Sequence, residues 1–176
     1  MLNTRKNIWK EVSKMSSARG VASSVVFEGR VVVTSGWNNL AEETNLVEAY
    51  DHINDSWTSM PSMIKKRAGH CSVAIENKLF IFGGMDLDDI EQDQCDFFDS
   101  TSKKFVFLKQ KPKSLKFYLL HAANTVSIGT EIIIIFNRSK KALCYDVKKD
   151  KWYEKLIGES KDRNRFGCAL IPQIEF

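Results

Sequence analysis

Hydrophobic positions in this chain fall in short runs of four or five residues, set apart by Gly, Asn, Asp and Lys. Residues 71–75 and 79–82 form two such runs, divided by the turn-forming Glu76-Asn77-Lys78 and ended by Gly83-Gly84. Residues 95–98 and 105–108 follow, joined across the polar segment 99–104. Runs of this length, rich in β-branched and aromatic residues and bounded by turn formers, predict strands. Four of them with short returns predict one antiparallel meander. The preceding stretch predicts the same unit, with strands at 21–27, 31–34, 46–50 and 57–60 and with Glu28-Gly29-Arg30 closing its first hairpin.

The unit repeats. Trp9, Trp57, Phe105 and Trp152 stand 48, 48 and 47 residues apart. The last three each lie seven residues after an aromatic: Tyr50 before Trp57, Phe98 before Phe105, Tyr145 before Trp152. Aspartate follows each of those aromatics, as Asp51, Asp99 and Asp146. Gly36 and Gly84 share the 48-residue spacing, and so do Arg19 and Arg67. Several residue types in one register signal a repeat array, and four strands per period select a β-propeller, in which four-stranded sheets pack radially.

A diglycine after strand two (Gly83-Gly84), a Tyr-Asp on strand three (Tyr50-Asp51, Tyr145-Asp146) and a Trp seven residues beyond that Tyr (Trp57, Trp152) resemble the Kelch repeat. Segments such as VEAYDHINDSW, PSMIKKRAGH and VAIENKLFIFGG resemble most the Kelch-like branch of that family. The resemblance implies an all-β, Kelch-type propeller. It also implies a substrate adaptor of cullin-RING ubiquitin ligases, whose BTB and BACK regions contact the cullin scaffold; neither region is read in this sequence.

The expected division is the last strand of a preceding blade at 1–14, Kelch repeats at 15–60 and 61–108, a degenerate repeat at 109–156, and the first strand of a following blade at 157–176. In the third unit Phe136-Asn137 replaces the diglycine, with Asn137 suited to the left-handed conformation. Residues 165–171 resemble another first strand. The expected propeller is thus incomplete: about three full blades with a flanking strand at each end, where closed rings hold four to eight. Such an arc exposes two apolar faces. Either the chain is a segment of a longer protein, or a partner such as a second copy completes the ring.

Composition narrows the function. Hydrophobic residues make up 43% of the 176-residue chain, ordinary for a soluble domain. The net charge of +4 is largely a Lys excess at 103, 104, 109, 111, 113 and 116, which fits solvated loops better than nucleic acid. The N-terminus MLNTRKNIWKEV lacks the apolar core of a signal peptide, and the longest apolar run, 132–136, is too short for a bilayer. A cytoplasmic protein without membrane attachment is expected. Cys71, Cys95, Cys144 and Cys168 form no CxxC and read as buried reduced thiols. The sequons at Asn54 and Asn137 would need a secretory route that nothing else supports.

Tyr50, Trp57, Gly36, Gly83, Gly84, Phe98, Phe105, Tyr145 and Trp152 read as repeat structure, the aromatics wedging between blades. For partner binding the family resemblance points to two loop types, from strand four to the next strand one and from strand two to strand three. The first ends at Arg19, Arg67 and Arg165, matching arginines that family members turn toward acidic degron peptides; guanidinium groups on one rim could fork onto carboxylates. Leu120 breaks the set, and solvated arginines at strand entrances are the plainer alternative. The second type contributes Trp37-Asn38-Asn39, with Trp37 off the repeat register and a candidate anchor, and the acidic run 85–93, which lacks EF-hand spacing. No phosphate loop, nucleophile elbow or His metal motif is read, so a non-catalytic module without cofactor or metal is expected. Actin binding is the alternative. A copper radical oxidase is remote, because no His has a second His near it in sequence.

Overall fold

A computed structural model describes residues 1–3, 5–85, 95–108, 124–135 and 140–156. Their regular structure is antiparallel β-sheet in three four-stranded meanders and one short hairpin. The hairpin pairs β1 (Leu2–Asn3) with β2 (Ile8–Trp9). The first blade holds β3 (Ser23–Phe27), β4 (Arg30–Thr34), β5 (Val47–Asp51) and β6 (Ser56–Met60). The second holds β7 (Cys71–Ile75), β8 (Lys78–Phe82), β9 (Asp96–Asp99) and β10 (Lys104–Phe107). The third holds β11 (Asn124–Ile128), β12 (Glu131–Ile135), β13 (Lys141–Asp146) and β14 (Lys151–Leu156). Asn137, Arg165 and the strand read at 165–171 lie outside the described residues, as do Leu120, Cys168 and positions 86–93 of the acidic run.

Two sequence expectations change at the N-terminal side. Residues 1–14 hold two strands instead of one. Leu2 pairs with Trp9 just as Tyr50 pairs with Trp57, so β1 and β2 take the third and fourth strand positions of a blade. Two residues are too few to show an alternating pattern. The first blade's inner strand begins at Ser23 and not at Val21, because Val21 has φ 53°. Gly69, 48 positions on, takes φ 67° at the same place. A β-branched residue carries about 1–2 kcal/mol of strain in that region.

The aspartate after each third-strand aromatic shapes the turn that follows. Asp51 Oδ1 accepts the Ile53 and Asn54 amides at 2.8 and 3.3 Å, Asp99 Oδ1 accepts Thr101 at 2.8 Å, and Asp146 Oδ1 accepts Lys148 and Lys149 at 3.1 and 3.0 Å. Two residues before each fourth-strand aromatic the backbone turns left-handed, at Asn7, Asp55, Lys103 and Asp150. Tyr50 and Tyr145 each donate to the aspartate at this bend, Asp55 at 2.7 Å and Asp150 at 2.6 Å. The second blade has Phe98 and Lys103 there, losing donor and acceptor together.

Adjacent blades pack sheet to sheet with their first strands innermost: Ser23 Oγ lies 2.6 Å from Ser72 Oγ, and Thr125 Oγ1 donates to the Ser72 carbonyl at 3.1 Å. Phe27, Val32, Val47 and Ala49 of the first blade close on Leu79, Ile81 and Phe98 of the second, with Phe105 against the same cluster. Phe80, Phe82 and Cys95 close on Ile132, Ile134, Tyr145 and Trp152 in the same way. Trp152 meets Phe82 edge-on at 5.8 Å and its own Tyr145 at 4.8 Å. Phe105 and Trp152 therefore face the preceding blade. Burying a side chain such as Leu79 is worth about 1.5–3 kcal/mol.

The two open faces expected of an arc are not equivalent. On the third blade's far face Ile133, Ala142 and Cys144 are buried. On the first blade's leading face Val26 is 66% exposed and Val31 40%. Trp57, half-buried there, packs on Tyr50 with ring centres 5.1 Å apart and donates Nε1–H to the Ser13 carbonyl at 2.8 Å.

Candidate functional site

The rim formed by the strand-two-to-three loop and the link between the first two blades is one hydrogen-bonded lattice. Gly36 N–H donates to the Arg67 carbonyl at 3.0 Å, Thr44 N–H to Gly36 at 2.9 Å, and Met63 N–H to Asn45 at 2.9 Å. Asn45 Nδ2 donates to the Met63 carbonyl at 3.1 Å. Gly36 and Gly84 permit this closeness. A Cβ on Gly36 would lie 2.6 Å from the Gly20 carbonyl, and one on Gly84 would lie 2.9 Å from that of Ala68; their φ angles are 102° and 92°. Ser35 stands where the second blade has Gly83, both left-handed at φ 50° and 64°. Its hydroxyl lies against the carbonyls of Thr44 and Arg67, with one proton to donate to either of them.

The arginines expected to meet a partner turn inward. Arg19 and Arg67 have fully buried side chains. Arg19 donates to the Leu46 carbonyl at 2.8 Å and pairs with Glu48 at 2.6 Å. Arg67 donates to the Gly83 carbonyl at 2.8 Å and pairs with Asp96 at 3.0 Å. Glu48 and Asp96 are themselves 48 residues apart, so the first two blades each clamp the end of the second strand with the same arginine–carboxylate device. Burial pulls both guanidinium groups below their ordinary range against the opposing pull of Glu48 or Asp96. Burial also pushes the Asp96 carboxyl up, in spite of Arg67. In this arrangement Arg19 and Arg67 serve as struts of the rim, and neither guanidinium is open to an acidic peptide. In the third unit Leu143 occupies the carboxylate position and Leu120 the arginine position, so both charges are lost together. Beside the second clamp, His70 Nε2 lies 2.7 Å from Thr34 Oγ1. Burial, with Arg67 nearby, pushes its pKa down to about 3.

The Trp37 loop is what the rim leaves facing outward. Trp37 pairs by backbone bridge with Gly20, as Met85 does with Ala68, so it lies in the repeat register after all. The residue is 37% exposed, and its Nε1–H donates to the buried Glu43 carboxylate at 3.0 Å. Asn38 pins the loop: its Oδ1 accepts the Leu40 and Glu42 amides at 2.8 and 3.1 Å, and its Nδ2 donates to Glu42 at 3.2 Å. Asn39 is exposed, and Leu40 is 77% exposed at the tip. Leu46 and Ile64 add exposed apolar surface on the same lattice, next to exposed Lys65 and Lys66.

This arrangement offers an ordered apolar platform with nearby positive charge. Cys71, Cys95 and Cys144 are buried thiols. Among the described residues no group of three or more His, Cys, Asp or Glu side chains is placed to hold a metal ion. Sequence reading missed Leu40, although a leucine amid Asn, Glu and Thr was its available signal. Glu48 and Asp96 were equally legible, as charges in the repeat register on otherwise apolar strands.

Comparison with known proteins agrees with this geometry. The family model for the Kelch motif matches residues 18–64. The chain is 21% identical over 154 residues to Kelch-like protein 35 of Mus musculus, covering 88% of this chain and 26% of that protein. It is 26% identical over 177 residues to Kelch repeat protein C2 of Vaccinia virus (strain Western Reserve), covering 96% of this chain and 32% of that protein. Kelch repeat and BTB domain-containing protein 1 of Horsepox virus is 27% identical over 94 residues, covering 52% of this chain and 16% of that protein. The chain thus spans about a third or less of the length of these relatives. The solved structure of YjhT superimposes with a TM-score of 0.70 at 16% identity, over 87% of this chain and 57% of that one, a likeness of fold.

Proposed function

We propose, from the premise that this chain is built of Kelch repeats in a β-propeller arrangement, that it holds a protein substrate for a cullin-RING ubiquitin ligase. Kelch repeats are interaction modules, generally without catalysis of their own. The observation that carries the reading is the loop 37–43, where Trp37 and Leu40 stand exposed on a backbone fixed by Asn38 and Glu43. A binding surface fixed beforehand loses little conformational freedom when a partner docks, and tryptophan is enriched among the few side chains that dominate binding energy.

The ligase setting is supported by the likeness to Kelch-like protein 35 and to a viral protein whose name joins Kelch repeats to a BTB domain. In that scheme repeats 15–60, 61–108 and 109–156 form the substrate-holding part, and the cullin scaffold is reached through BTB and BACK regions. The place of action would be the cytoplasm. With Arg19 and Arg67 used internally, the apolar platform takes over the partner-facing role on this part of the rim; Asn39 adds a polar contact there. Arg165 stays a candidate contact.

Proximity labelling in cells with wild-type chain, Trp37→Ala/Leu40→Ala and Ile53→Ser tests this. Ile53 is 80% exposed in the turn at the opposite end of the strands. The rim variant should lose the partner set that the Ile53 variant keeps, each lost contact being worth about 2 kcal/mol or roughly 30-fold in affinity. Identical sets for all three would refute the rim assignment. Direct capture of a purified cullin scaffold by this chain would refute the division of labour, and co-sedimentation with actin filaments would favour the cytoskeletal alternative.

A further inference from the structure

We infer that the cleft between the second and third blades, at the end of the strands away from the Trp37 loop, receives a tryptophan side chain with a neighbouring carboxylate from a protein partner. A cleft opens at this corner of both blade interfaces, and the repeat places the two in register. Between the first and second blades Arg30, Ser59, Phe98, Ser100 and Lys103 border it. Between the second and third, the same places hold Lys78, Phe107, Tyr145, Val147 and Asp150. A phenylalanine and a valine thus stand in for two serines, and an aspartate for a lysine.

The second cleft encloses about 300 Å³, the low end of the range for ligand sites and room for one large side chain. Its aromatic wall is fixed beforehand. Phe80 and Tyr145 are 1% and 3% exposed. The Phe80 ring centre lies 5.5 Å from that of Phe97 and 6.1 Å from that of Tyr145. Phe97 stands opposite Phe80 in one ladder and opposite Val106 in the next, so the sheet itself holds these side chains side by side.

Two polar groups on the border choose the occupant. Arg30 of the first cleft is drawn to Glu28, 3.8 Å away. Lys78 forms no ion pair among the described residues, and its ammonium sits 5.1 Å from the centre of the Phe97 ring. An unpaired ammonium over an aromatic wall suits a carboxylate carried beside an apolar body. Asp150 takes the Tyr145 hydroxyl proton on Oδ1 at 2.6 Å, and an ionised carboxylate has room for a further donor. Tryptophan joins a large apolar ring to a lone N–H donor. Trp37 meets Glu43 in that way on the other rim.

The probe is N-acetyl-L-tryptophan, titrated into the full chain with amide shifts followed by NMR. Shifts should centre on Phe97, Val106 and Tyr145, with a Kd of about 0.1–1 mM, ordinary for a fragment of this size. Val106 is 44% exposed and Lys78 half-buried, so both tolerate substitution. Val106→Glu should weaken binding at least tenfold, and Lys78→Met about threefold. Exchanging the probe's carboxylate for an amide should cost about threefold in the wild type and nothing in Lys78→Met. Methylating the indole nitrogen should also weaken binding about threefold. No shifts at about 10 mM probe, or equal binding to Val106→Glu, overturns the proposal. So do carboxylate, amide and methylated probes that bind alike, and so do equal shifts around Ser59, Ser100 and Lys103, which would mean unspecific apolar binding.

Discussion

Asp96→Leu, Arg67→Leu and the double variant test whether the buried clamps hold the rim by charge. The side chains of Arg67 and Asp96 are both fully buried, 3.0 Å apart. Removing Asp96 alone leaves a guanidinium in the interior without its carboxylate, which costs about 3–5 kcal/mol. Removing Arg67 alone falls at the low end of that range, because burial already pushes the Asp96 carboxyl toward its neutral form. The double variant removes both charges and recreates the pair of leucines that the third unit carries at these positions. What then remains is the Gly83 carbonyl without its arginine donor, about 1–3 kcal/mol, offset in part by buried leucine. The double variant should therefore be more stable than the Asp96 single, with a coupling of at least about 3 kcal/mol. Urea unfolding followed by tryptophan fluorescence reads this. With a slope of about 2 kcal/mol per molar, the Asp96 variant's midpoint falls by about 2 M and the double variant recovers half or more of it. Strictly additive losses, or single variants within about 0.5 kcal/mol of wild type, would refute the reasoning.

Three further perturbations probe other joints. Folded His70 stays neutral down to about pH 3, whereas the unfolded chain takes up a proton near 6.5. Stability is therefore fully present above pH 6.5 and declines as the pH falls toward 3, by up to about 1.4 kcal/mol per pH unit; His70→Asn should flatten that slope in urea melts, and parallel profiles would remove His70 from the account. Gly84→Ala drives a Cβ to 2.9 Å from the Ala68 carbonyl, whereas Gly29→Ala meets nothing within 4 Å. Both incur the left-handed penalty of about 1–2 kcal/mol, so a thermal melt should rank Gly84→Ala clearly lower, and equal melting points would refute the contact. Trp152→Ala empties a buried blade interface and should cost about 3–5 kcal/mol. The half-buried Trp57 should cost less when cut to Ala, and the reverse order in denaturant would contradict the blade polarity described above.

The blade itself was legible because its markers are residues with few substitutes. Tyr50-Trp57 and Tyr145-Trp152 pack ring against ring, the aspartates tie the turns, and Gly36 and Gly84 admit no side chain. The arginine clamps were visible as spacing but misread as chemistry. A charge near a strand entrance looks solvated until its counter-ion is found, and Glu48 and Asp96 lie 29 residues beyond their arginines. The order of the Trp37 loop could not be read, because it depends on Asn38 and Glu43 closing on their own backbone. The first strand of the N-terminal hairpin escaped because Leu2 and Asn3 give no periodicity. The uneven exposure of the two end faces depends on tertiary packing that no local pattern reports.

Four turns among the described residues share one left-handed bend, built from Asn7, Asp55, Lys103 and Asp150. Three of them use short side chains that accept this conformation readily; lysine does not share that aptitude. Geometry is thus copied from blade to blade while the residue that adopts it is free to drift. Since a repeat touches only its neighbours, each bend can be rewritten alone. Glycine at 103 would relax the least suited of the four, and a label attached at Asn7 would report on the half-blade without disturbing the rim.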